Sequence, residues 1–384
     1  MWMLLVNKKK ILVPLFLPWI TNSDKQAILS ALKSPQLSDG PRLKEFEHEF
    51  AKYVGSRYAI GVSNATAALH LSLLSIGIGR GDEVIIPDIT FIATSNAVAL
   101  TGAKPVCADI ESSLNISAES IEDKITKRTR AIIPVHLAGY PCKMKEIVKI
   151  AATRNLKLIE DCAHSVGTYY NNRHVGTFGE AGCFSFYVTK NMTSIEGGMI
   201  ATNSKKIAKI VMTLRSHGLN RTLVERYKNP KPWIYDVIEP GYNYKLDEVR
   251  SSLGLSQLKR LKEIISRRRK AANYYSKKLC NIKGIQVVNS TDSKRHVYHL
   301  YIIRIKRQFG VSRDEAHRRL AEKGIQTTVH YKPIHKFSYL RKSRRDEYPN
   351  SDLAYKECLT LPLFPTITKK QQDYVIHNLL EIQK

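Results

Sequence analysis

The stretch YAIGVSNATAALHLSLLSIGIGRGDEVIIP (residues 58–87) decides the fold class. Two short apolar runs, YAIGVS (58–63) and EVIIP (83–87), enclose an Ala- and Leu-rich helical pattern over 66–76. A buried strand, a helix and a second buried strand in this order are typical of a parallel sheet covered by helices. The stretch therefore predicts an α/β protein.

The glycines of GIGRGD (77–82) do not form a dinucleotide site. They follow a helix and precede a strand, which is the reverse of the strand-turn-helix order that such a site needs. We interpret the segment as a turn.

The same alternation continues toward the C-terminus as far as residue 205. Further strands are predicted at KPVCAD (104–109), RAIIPVHL (130–137), KLIED (157–161), CFSFY (183–187) and GMIAT (198–202), with helices over 93–100, 142–154 and 204–216. Residues 219–241 are polar, basic and contain prolines, which predicts a long loop or lid.

The last third of the chain predicts a second, smaller unit. Its elements are one or two amphipathic helices over 246–280, a strand over 297–305, a helix over 312–323 that opens at Ser312, a strand over 327–331 and a closing helix over 367–383. A largely parallel sheet followed by this α+β segment predicts two domains, 1–245 and 246–384.

Positive charge is concentrated in the second half of the chain. The formal net charge is +27, and residues 201–384 hold 39 of the 61 Lys and Arg but only 16 of the 34 Asp and Glu. Such an excess attracts anions, whether nucleic acid, membrane head groups or a phosphorylated substrate. Runs such as 267–270 (RRRK) are expected to be solvated surface.

The cysteines and the N-terminal segment argue against metal-binding, disulfide-stabilised and membrane-spanning classes of protein. Six scattered cysteines without a CxxC pair indicate neither a zinc site nor a disulfide scaffold, so we expect no metal and a reducing cytoplasm. The apolar N-terminal segment is broken by lysines at 8–10 and by Pro14 and Pro18, so we expect neither a membrane span nor a signal peptide.

Three positions offer the chemistry of a phosphorylated cofactor. Small polar residues at 63–66 end a strand and open a helix, where free N–H groups could bind phosphate or where Asn64 could only cap the helix. Asp161 ends a strand, as a helix cap or as a site acid. Lys190 follows another strand among apolar, hydroxyl and glycine neighbours, where burial could lower its pKa and make it a nucleophile.

Pyridoxal phosphate (PLP) needs this combination. A helix terminus holds its phosphate, a lysine bonds its aldehyde carbon, and a carboxylate keeps the ring nitrogen protonated so that the ring can accept electrons.

The chain also resembles the DegT-type sugar aminotransferases, which are PLP enzymes of fold type I that act on nucleotide-linked keto sugars. The likeness covers about residues 12–380. Its motifs are LSDGPRLKEFE (37–47), SNATAALHL (63–71), EVIIPDITFIATSNAV (83–98), VHLAGYPCKM (135–144), IEDCAHSVGTYYNNRHVGTFGEAGCFSFYVTKNMTSIEGGMI (159–200), LRSHGL (214–219), GYNYKLDEV (241–249) and LPLFP (361–365).

This resemblance implies roles for individual residues and for a partner subunit. Lys190 and Asp161 are the catalytic pair: the lysine bonds the cofactor and moves the proton, and the aspartate partners the ring nitrogen. Family members are homodimers with shared active sites. The implied cofactor contacts are Ala65, Thr66 and Ser185 at the phosphate, Phe91 on the ring face, His164 against the ring, and Asn243 at the cofactor of the neighbouring subunit. Ala65 stands where the family commonly has glycine, which is acceptable if its φ is negative.

The reaction implied by the resemblance is transfer of an amino group from glutamate to a nucleotide-linked 4-keto sugar, for amino-sugar or cell-surface polysaccharide biosynthesis. His164 favours the branch that aminates C4, such as the enzymes that make UDP-4-amino-4-deoxy-L-arabinose. The C3-aminating branch, which often has Gln there, stays open. Lys190 argues against a dehydratase offshoot that has His in its place.

A non-catalytic nucleic-acid-binding or regulatory protein on the same fold is the alternative from another class. An intact Lys190–Asp161 pair has no purpose in binding nucleic acid, so we expect no nucleic-acid partner and no insertion into a membrane.

The substrates predict cations at the mouth of the site, because the nucleotide sugar carries a diphosphate and glutamate carries two carboxylates. Arg215, Arg226 and Lys245 lie beside the family motifs and are the expected cations. His330 and Tyr331 are expected to contact the sugar or nucleotide, with a structural histidine at 330 as the alternative.

Overall fold

The computed structural model describes residues 5–6, 9–220, 228, 230–289, 295–340 and 347–383. Its strands are β1 (Leu5–Val6), β2 (Lys9–Lys10), β3 (Tyr58–Val62), β4 (Glu83–Pro87), β5 (Lys104–Ala108), β6 (Thr129–Ile132), β7 (Lys157–Asp161), β8 (Tyr169–Tyr170), β9 (Arg173–His174), β10 (Ala181–Ser185), β11 (Gly198–Thr202), β12 (Ile285–Val287), β13 (Tyr301–Ile305) and β14 (Cys358–Leu361). Its α-helices are α1 (Asn22–Leu32), α2 (Pro41–Val54), α3 (Ala65–Ser75), α4 (Ile92–Leu100), α5 (Ala118–Lys124), α6 (Met144–Thr153), α7 (Lys205–Leu214), α8 (Glu248–Lys259), α9 (Leu261–Leu279), α10 (Arg313–Glu322), α11 (Pro349–Glu357) and α12 (Lys369–Gln383). Within these ranges, none of the helices combines the length and apolarity that a bilayer crossing requires.

Seven strands form the main sheet, in the order β3-β11-β10-β7-β6-β4-β5. Strand β11 runs antiparallel to both of its neighbours, and the remaining neighbours pair in parallel. All seven are the strands predicted from the sequence, so the α/β class is confirmed.

Helices cover both faces of this sheet, which explains the continuous apolar runs. Val84 and Ile86 pack in one cluster with α3 and α7, whereas Ile85 packs with α6 in another. Neighbouring residues of a strand point to opposite faces, so a strand buried on both sides needs apolar residues at every position.

A smaller antiparallel sheet, in the order β12-β13-β14, lies in the C-terminal part. Its core includes residues of α9, α10 and α12 together with Val13 from the N-terminal segment. In addition, Arg260 pairs with the buried Asp24 of α1 at 2.6 Å. Contacts thus join the two ends of the chain, and a division at residue 245 stays a prediction.

The structure settles one open choice, corrects one expected strand and adds elements that the sequence did not predict. Two helices, α8 and α9, meet at Arg260, which settles the choice between one helix and two. Residues 327–331 do not form a strand: the backbone makes an isolated bridge from Thr328 to Thr360, and Tyr331 then turns toward a cavity. The elements that were not predicted are helices α1, α2, α5 and α11, strands β12 and β14, and the two-residue strands β1, β2, β8 and β9.

Arg268 corrects the expectation that the run at 267–270 is solvated. Its side chain is 2% exposed, and its guanidinium donates to the carbonyls of Tyr298, His299 and Leu363. The guanidinium thereby ties α9 to two loops of the C-terminal part, because buried carbonyls need donors.

Candidate active site

A cavity of about 560 Å³ opens at the edge of the main sheet where the parallel strands end. Asp161 is the last residue of β7, Lys190 follows β10, and α3 and α4 begin at the same edge. This is the edge at which open α/β sheets bind ligands. The lining residues are Asn64, Ala65, Thr66, Leu69, Thr90, Phe91, Ala93, Thr94, Val135, Asp161, Ala163, His164, Tyr187, Lys190 and Glu196.

The first turn of α3 forms one wall. Asn64 caps the helix by accepting a hydrogen bond from the N–H of Ala67 at 2.8 Å. The N–H groups of Ala65 and Thr66 have no acceptor within the helix and lie at its positive dipole end, which is suited to an anion. Ala65 is the first helical residue, where φ is negative, so alanine fits this position.

Close packing of β11 against this turn requires a glycine. A Cβ at Gly198 would lie 2.5 Å from the carbonyl of Asn64 and 2.9 Å from the nitrogen of Ala65. Ser185 is the register partner of Gly198 on β10, so its buried hydroxyl lies one strand away from the α3 terminus.

Asp161 is held by two hydrogen bonds. Its Oδ1 accepts from the N–H of Ala163 at 3.0 Å and its Oδ2 accepts from the hydroxyl of Thr94 at 2.9 Å. Burial raises the pKa of this carboxyl, while the two hydrogen bonds and the charge of Lys190 oppose that shift.

Lys190 is partly buried in a turn after β10, where its backbone N–H donates to the carbonyl of Tyr187 at 2.9 Å. Burial lowers the pKa of its amine to about 8, against a smaller opposing effect of the Asp161 charge. A large fraction of the amine is therefore neutral in mildly alkaline solution, as a nucleophile or base must be.

His164 is a neutral imidazole of defined tautomer. Burial, followed by the charge of Lys190, holds its pKa well below the usual value. Its Nδ1 accepts from the N–H of Ala138 at 3.2 Å, so the single ring proton lies on Nε2, which donates to the hydroxyl of Tyr331 at 3.2 Å. This hydrogen bond ties the large sheet to the C-terminal part at the cavity.

Phe91 precedes α4 and leaves 55% of its surface exposed on the cavity wall. Its ring centroid lies 5.8 Å from that of Tyr331. An exposed aromatic face in a cavity is suited to a flat ring ligand.

A smaller cavity of about 80 Å³ lies on the other side of Lys190. His299, His330 and Thr360 are among its lining residues. His330 Nδ1 is 2.8 Å from the hydroxyl of Thr360, and burial lowers the pKa of this histidine to about 3. His330 and Tyr331 thus lie beside Lys190, as a substrate contact requires.

Of the predicted site residues that the structure describes, Ser185, Arg215, Asn243 and Lys245 line neither cavity. Arg215 is buried, with its guanidinium 2.6 Å from both Glu47 and the carbonyl of Gly61, which argues against a substrate contact. Lys245 donates to the side chain of the exposed Asn243 at 2.7 Å, outside both cavities of its own chain. Arg226 lies outside the described residues.

The sequence analysis missed the two threonines of the site. Thr90 and Thr94 are 2% and 1% exposed, and their hydroxyls lie 2.9 Å apart. Their spacing of four residues at the start of a helix, directly after a buried strand, was the available signal.

A buried cluster beside Asp161 has a structural explanation. His136, Glu160 and Cys162 lie close enough together to hold a metal ion. However, the Glu160 carboxylate already accepts from three backbone N–H groups over 176–179, and His136 Nε2 faces it at 3.2 Å. These groups anchor that loop to β7, and we assign no metal to them.

The residues present fit PLP. The α3 terminus suits its phosphate, the exposed face of Phe91 its ring, Lys190 its aldehyde carbon, and the buried carboxylate of Asp161 its ring nitrogen.

Comparisons with known proteins agree with this fit. A family model described as the DegT/DnrJ/EryC1/StrS aminotransferase family matches residues 18–380. The spore coat polysaccharide biosynthesis protein SpsC of Bacillus subtilis is 38% identical over 386 residues, which cover 99% of each chain.

Two solved structures extend this similarity. PseC of Helicobacter pylori, an aminotransferase involved in the biosynthesis of pseudoaminic acid, superposes with a TM-score of 0.90 at 28% identity, over 96% of this chain and 98% of that one. NtdA of Bacillus subtilis, solved with bound cofactor PMP, superposes with a TM-score of 0.83 at 30% identity, over 95% and 83% of the two chains.

Proposed function

Because this chain belongs to the DegT/DnrJ/EryC1/StrS aminotransferase family and is a PLP-dependent sugar aminotransferase, we propose that it transfers the amino group of glutamate to a nucleotide-linked 4-keto sugar. The product would serve amino-sugar or cell-surface polysaccharide biosynthesis. The descriptions of SpsC and PseC support a biosynthetic role, since both name the biosynthesis of a sugar product.

The observation that carries the proposal is the meeting of Asp161, Lys190 and the α3 terminus in one cavity. Bound PLP supplies an electron sink, which lets an amino acid lose its α-proton and exchange its nitrogen. Asp161 then holds the proton on the ring nitrogen, and Ala65 and Thr66 bind the phosphate through their N–H groups.

Lys190 moves the proton. With a pKa of about 8, its free amine takes a proton from one carbon and returns it to another without a large energetic penalty in either protonation state. His164 contributes a fixed donor at Nε2 and directs the hydroxyl of Tyr331, which borders both cavities and so can reach the sugar.

Recognition of the anionic substrates needs groups from outside the cavity. Among the described lining residues of both cavities there is one lysine and no arginine. We therefore propose that cations reach the site from the 219–241 loop, including Arg226, from Lys245 and from a second subunit.

A homodimer with shared sites meets this need. The segment 233–238 leaves Trp233, Ile234, Val237 and Ile238 at least half exposed, and exposed apolar clusters mark interaction surfaces. Asn243 follows this segment and is itself exposed, so we propose that it reaches the cofactor phosphate of the partner subunit.

We also propose that the enzyme works in the cytoplasm. All six cysteines of the sequence are free thiols in the structure, which fits a reducing compartment.

The test starts with the purified enzyme and PLP. We expect a visible absorbance band from Lys190-bound cofactor, which L-glutamate removes with release of one equivalent of 2-oxoglutarate. Lys190→Ala is the control, and we expect it to fold but to show neither the band nor turnover. Glutamate that leaves the band unchanged, with another amino acid removing it, would contradict the choice of donor.

The acceptor is identified next with a panel of nucleotide-linked 3-keto and 4-keto sugars. We expect amination of a 4-keto sugar, with the position of the new amine assigned by NMR. Amination at C3 would contradict the assignment to C4. Turnover of no keto sugar in the panel would contradict the proposed acceptor class.

A further inference from the structure

Asp161 faces a conflict between burial and charge. To keep a ring nitrogen protonated it must stay ionised, yet burial raises its pKa and favours the neutral acid. Groups that donate hydrogen bonds to the carboxylate oppose this shift, because they stabilise the charged form more strongly than the neutral acid. The groups that donate hydrogen bonds to Asp161 therefore help to keep its carboxylate ionised.

The number of hydroxyl protons determines which group donates and which accepts in the series of hydrogen bonds that ends on Asp161. A threonine hydroxyl has one proton. The hydroxyl of Thr94 donates that proton to Asp161 Oδ2 at 2.9 Å, so in the 2.9 Å contact with Thr90 it can only accept. Thr90 donates to Thr94, and Thr94 donates to the carboxylate.

These hydrogen bonds leave acceptor sites of the Asp161 carboxylate free for a ligand. A carboxylate has about four lone-pair sites, and Thr94 and Ala163 occupy one on each oxygen. Asp161 lines the large cavity beside Thr94, so a remaining site is available to a protonated ring nitrogen.

We propose that Thr94 is a positioning residue that keeps Asp161 ionised and oriented, and that Thr90 supports it through the same series of hydrogen bonds. This inference rests on the proposed pairing of Asp161 with the cofactor ring nitrogen. Thr94 acts through Asp161 and has no separate role in the chemistry.

The test uses Thr94→Val, which keeps the shape of the side chain and removes its donor. We expect the dissociation constant of PLP, measured by fluorescence on the apoenzyme, to rise about tenfold at neutral pH. Loss of the donor also raises the pKa of Asp161 further. The acid limb of the pH profile for PLP affinity then moves to higher pH, since the carboxylate becomes protonated sooner as the pH falls.

Three further variants separate the hydrogen bond from packing. Thr94→Ser keeps the hydroxyl, and we expect it to bind PLP within about twofold of wild type. Thr90→Val keeps the donor to Asp161, and we expect a smaller effect than in Thr94→Val. Thr202→Val removes another buried hydroxyl, at the opposite edge of the sheet, where it donates to the carbonyl of Glu180 at 2.7 Å, and we expect unchanged PLP affinity.

Asp161→Asn distinguishes this inference from the proposed function. If Asp161→Asn weakens PLP binding but Thr94→Val does not, the inference about Thr94 is wrong and the role of Asp161 stands. Equal losses in Thr94→Ser and Thr94→Val would also overturn it, because packing alone would explain them. If Asp161→Asn binds PLP normally, the role of Asp161 fails and the inference fails with it. Should Thr94→Val not fold by circular dichroism, Thr94→Ala, which also removes the donor to Asp161, takes its place in the comparison with Thr94→Ser.

Discussion

Lys190 and Arg268 are both basic side chains that the fold removes from water. Burial lowers the pKa of each, to about 8 for the lysine and to about 10 for the arginine. The lysine therefore loses its charge in mildly alkaline solution, whereas the arginine keeps its charge there and satisfies three backbone carbonyls. A lowered pKa yields a reactive amine in one case and leaves a structural cation in the other, because the two groups start from different intrinsic pKa values.

The lowered pKa of Lys190 predicts how the apoenzyme captures its cofactor. The neutral amine is the nucleophile, so the rate of PLP bonding rises with pH and levels off above about pH 8. The measurement is the growth of the visible absorbance band after mixing apoenzyme with PLP at a series of pH values. A midpoint near the value of an exposed lysine would show that burial does not tune this amine.

Lys245 tests whether local or diffuse charge attracts the substrate. It pairs with Val62 at the end of β3 and supports Asn243. We expect Lys245→Gln to raise KM for the nucleotide sugar about tenfold, with little change in kcat, because one charge-assisted contact is lost. The control is Lys262→Gln on α9, which removes the charge of an exposed lysine. An equal rise of KM in both variants would point to a diffuse field instead.

At the scale of elements, one segment of the C-terminal part closes over the large sheet. We call residues 330–340 the arm. Its Tyr331 contacts His164 at the cavity, and its Tyr339 hydroxyl lies 2.8 Å from that of Ser95 on α4. Between them, His335 contacts the fully buried Asp88 at the end of β4, with 2.6 Å from Nδ1 to Oδ2. Three side-chain contacts thus attach the arm to the part of the main sheet and its helices that forms the site.

Removal of the His335–Asp88 contact is expected to weaken the attachment of the arm to the large sheet. His335→Ala leaves the carboxylate of Asp88 buried with only the backbone N–H of residue 335 as a donor from the arm. We expect a loss of about 2 to 3 kcal/mol in the free energy of unfolding, measured with urea, and a higher KM because Tyr331 is less well placed.

The matched control for this variant removes a buried side-chain contact elsewhere. Glu357→Gln removes the charge that Arg304 contacts at 2.8 Å in the small sheet. We expect this variant to lose stability with an unchanged KM. If both variants alter KM alike, the effect of His335→Ala comes from general destabilisation and the arm does not position Tyr331.

At the scale of the whole molecule, the described chain presents an incomplete site. Among the described residues that line its two site cavities there is a single lysine for at least three anionic groups, and the apolar segment 233–238 is exposed. In the proposed homodimer, a second copy of the chain would bring cations to the site and cover this segment through a twofold interface.

Shared sites can be tested by mixing two defective variants. In a hybrid of Lys190→Ala with Asn243→Ala, one site carries both defects and the other carries none. We expect each variant alone to be nearly inactive, and a mixture that is unfolded and refolded together to recover about a quarter of wild-type activity, because half of the dimers are hybrids with one intact site. A mixture that stays inactive while forming dimers would show that Asn243 acts within its own subunit.

The sequence by itself determined the order of the seven main strands along the chain and most of the helices between them, and it pointed to Asp161 and Lys190 as the proposed cofactor pair. These features depend on local patterns: apolar runs buried on both faces, helix-start residues such as Asn64, and motifs around Asp161 and Lys190. The family resemblance added the reaction class, which the comparisons confirm at the level of a sugar aminotransferase. The sugar, the donor and the roles of single residues stay proposals.

Only the tertiary structure decided which polar groups meet across the chain. Thr94 contacts Asp161 over 67 residues, Tyr331 reaches His164 over 167, and Arg215 turns to Glu47 over 168. The local sequence pattern does not predict such partners. A polar residue occupies the same kind of position in the pattern whether its side chain lines a cavity or pairs with a distant charge. The physical reason is that the pKa of Lys190 and the packing of Arg215 follow from burial, and burial exists only after distant segments have packed together.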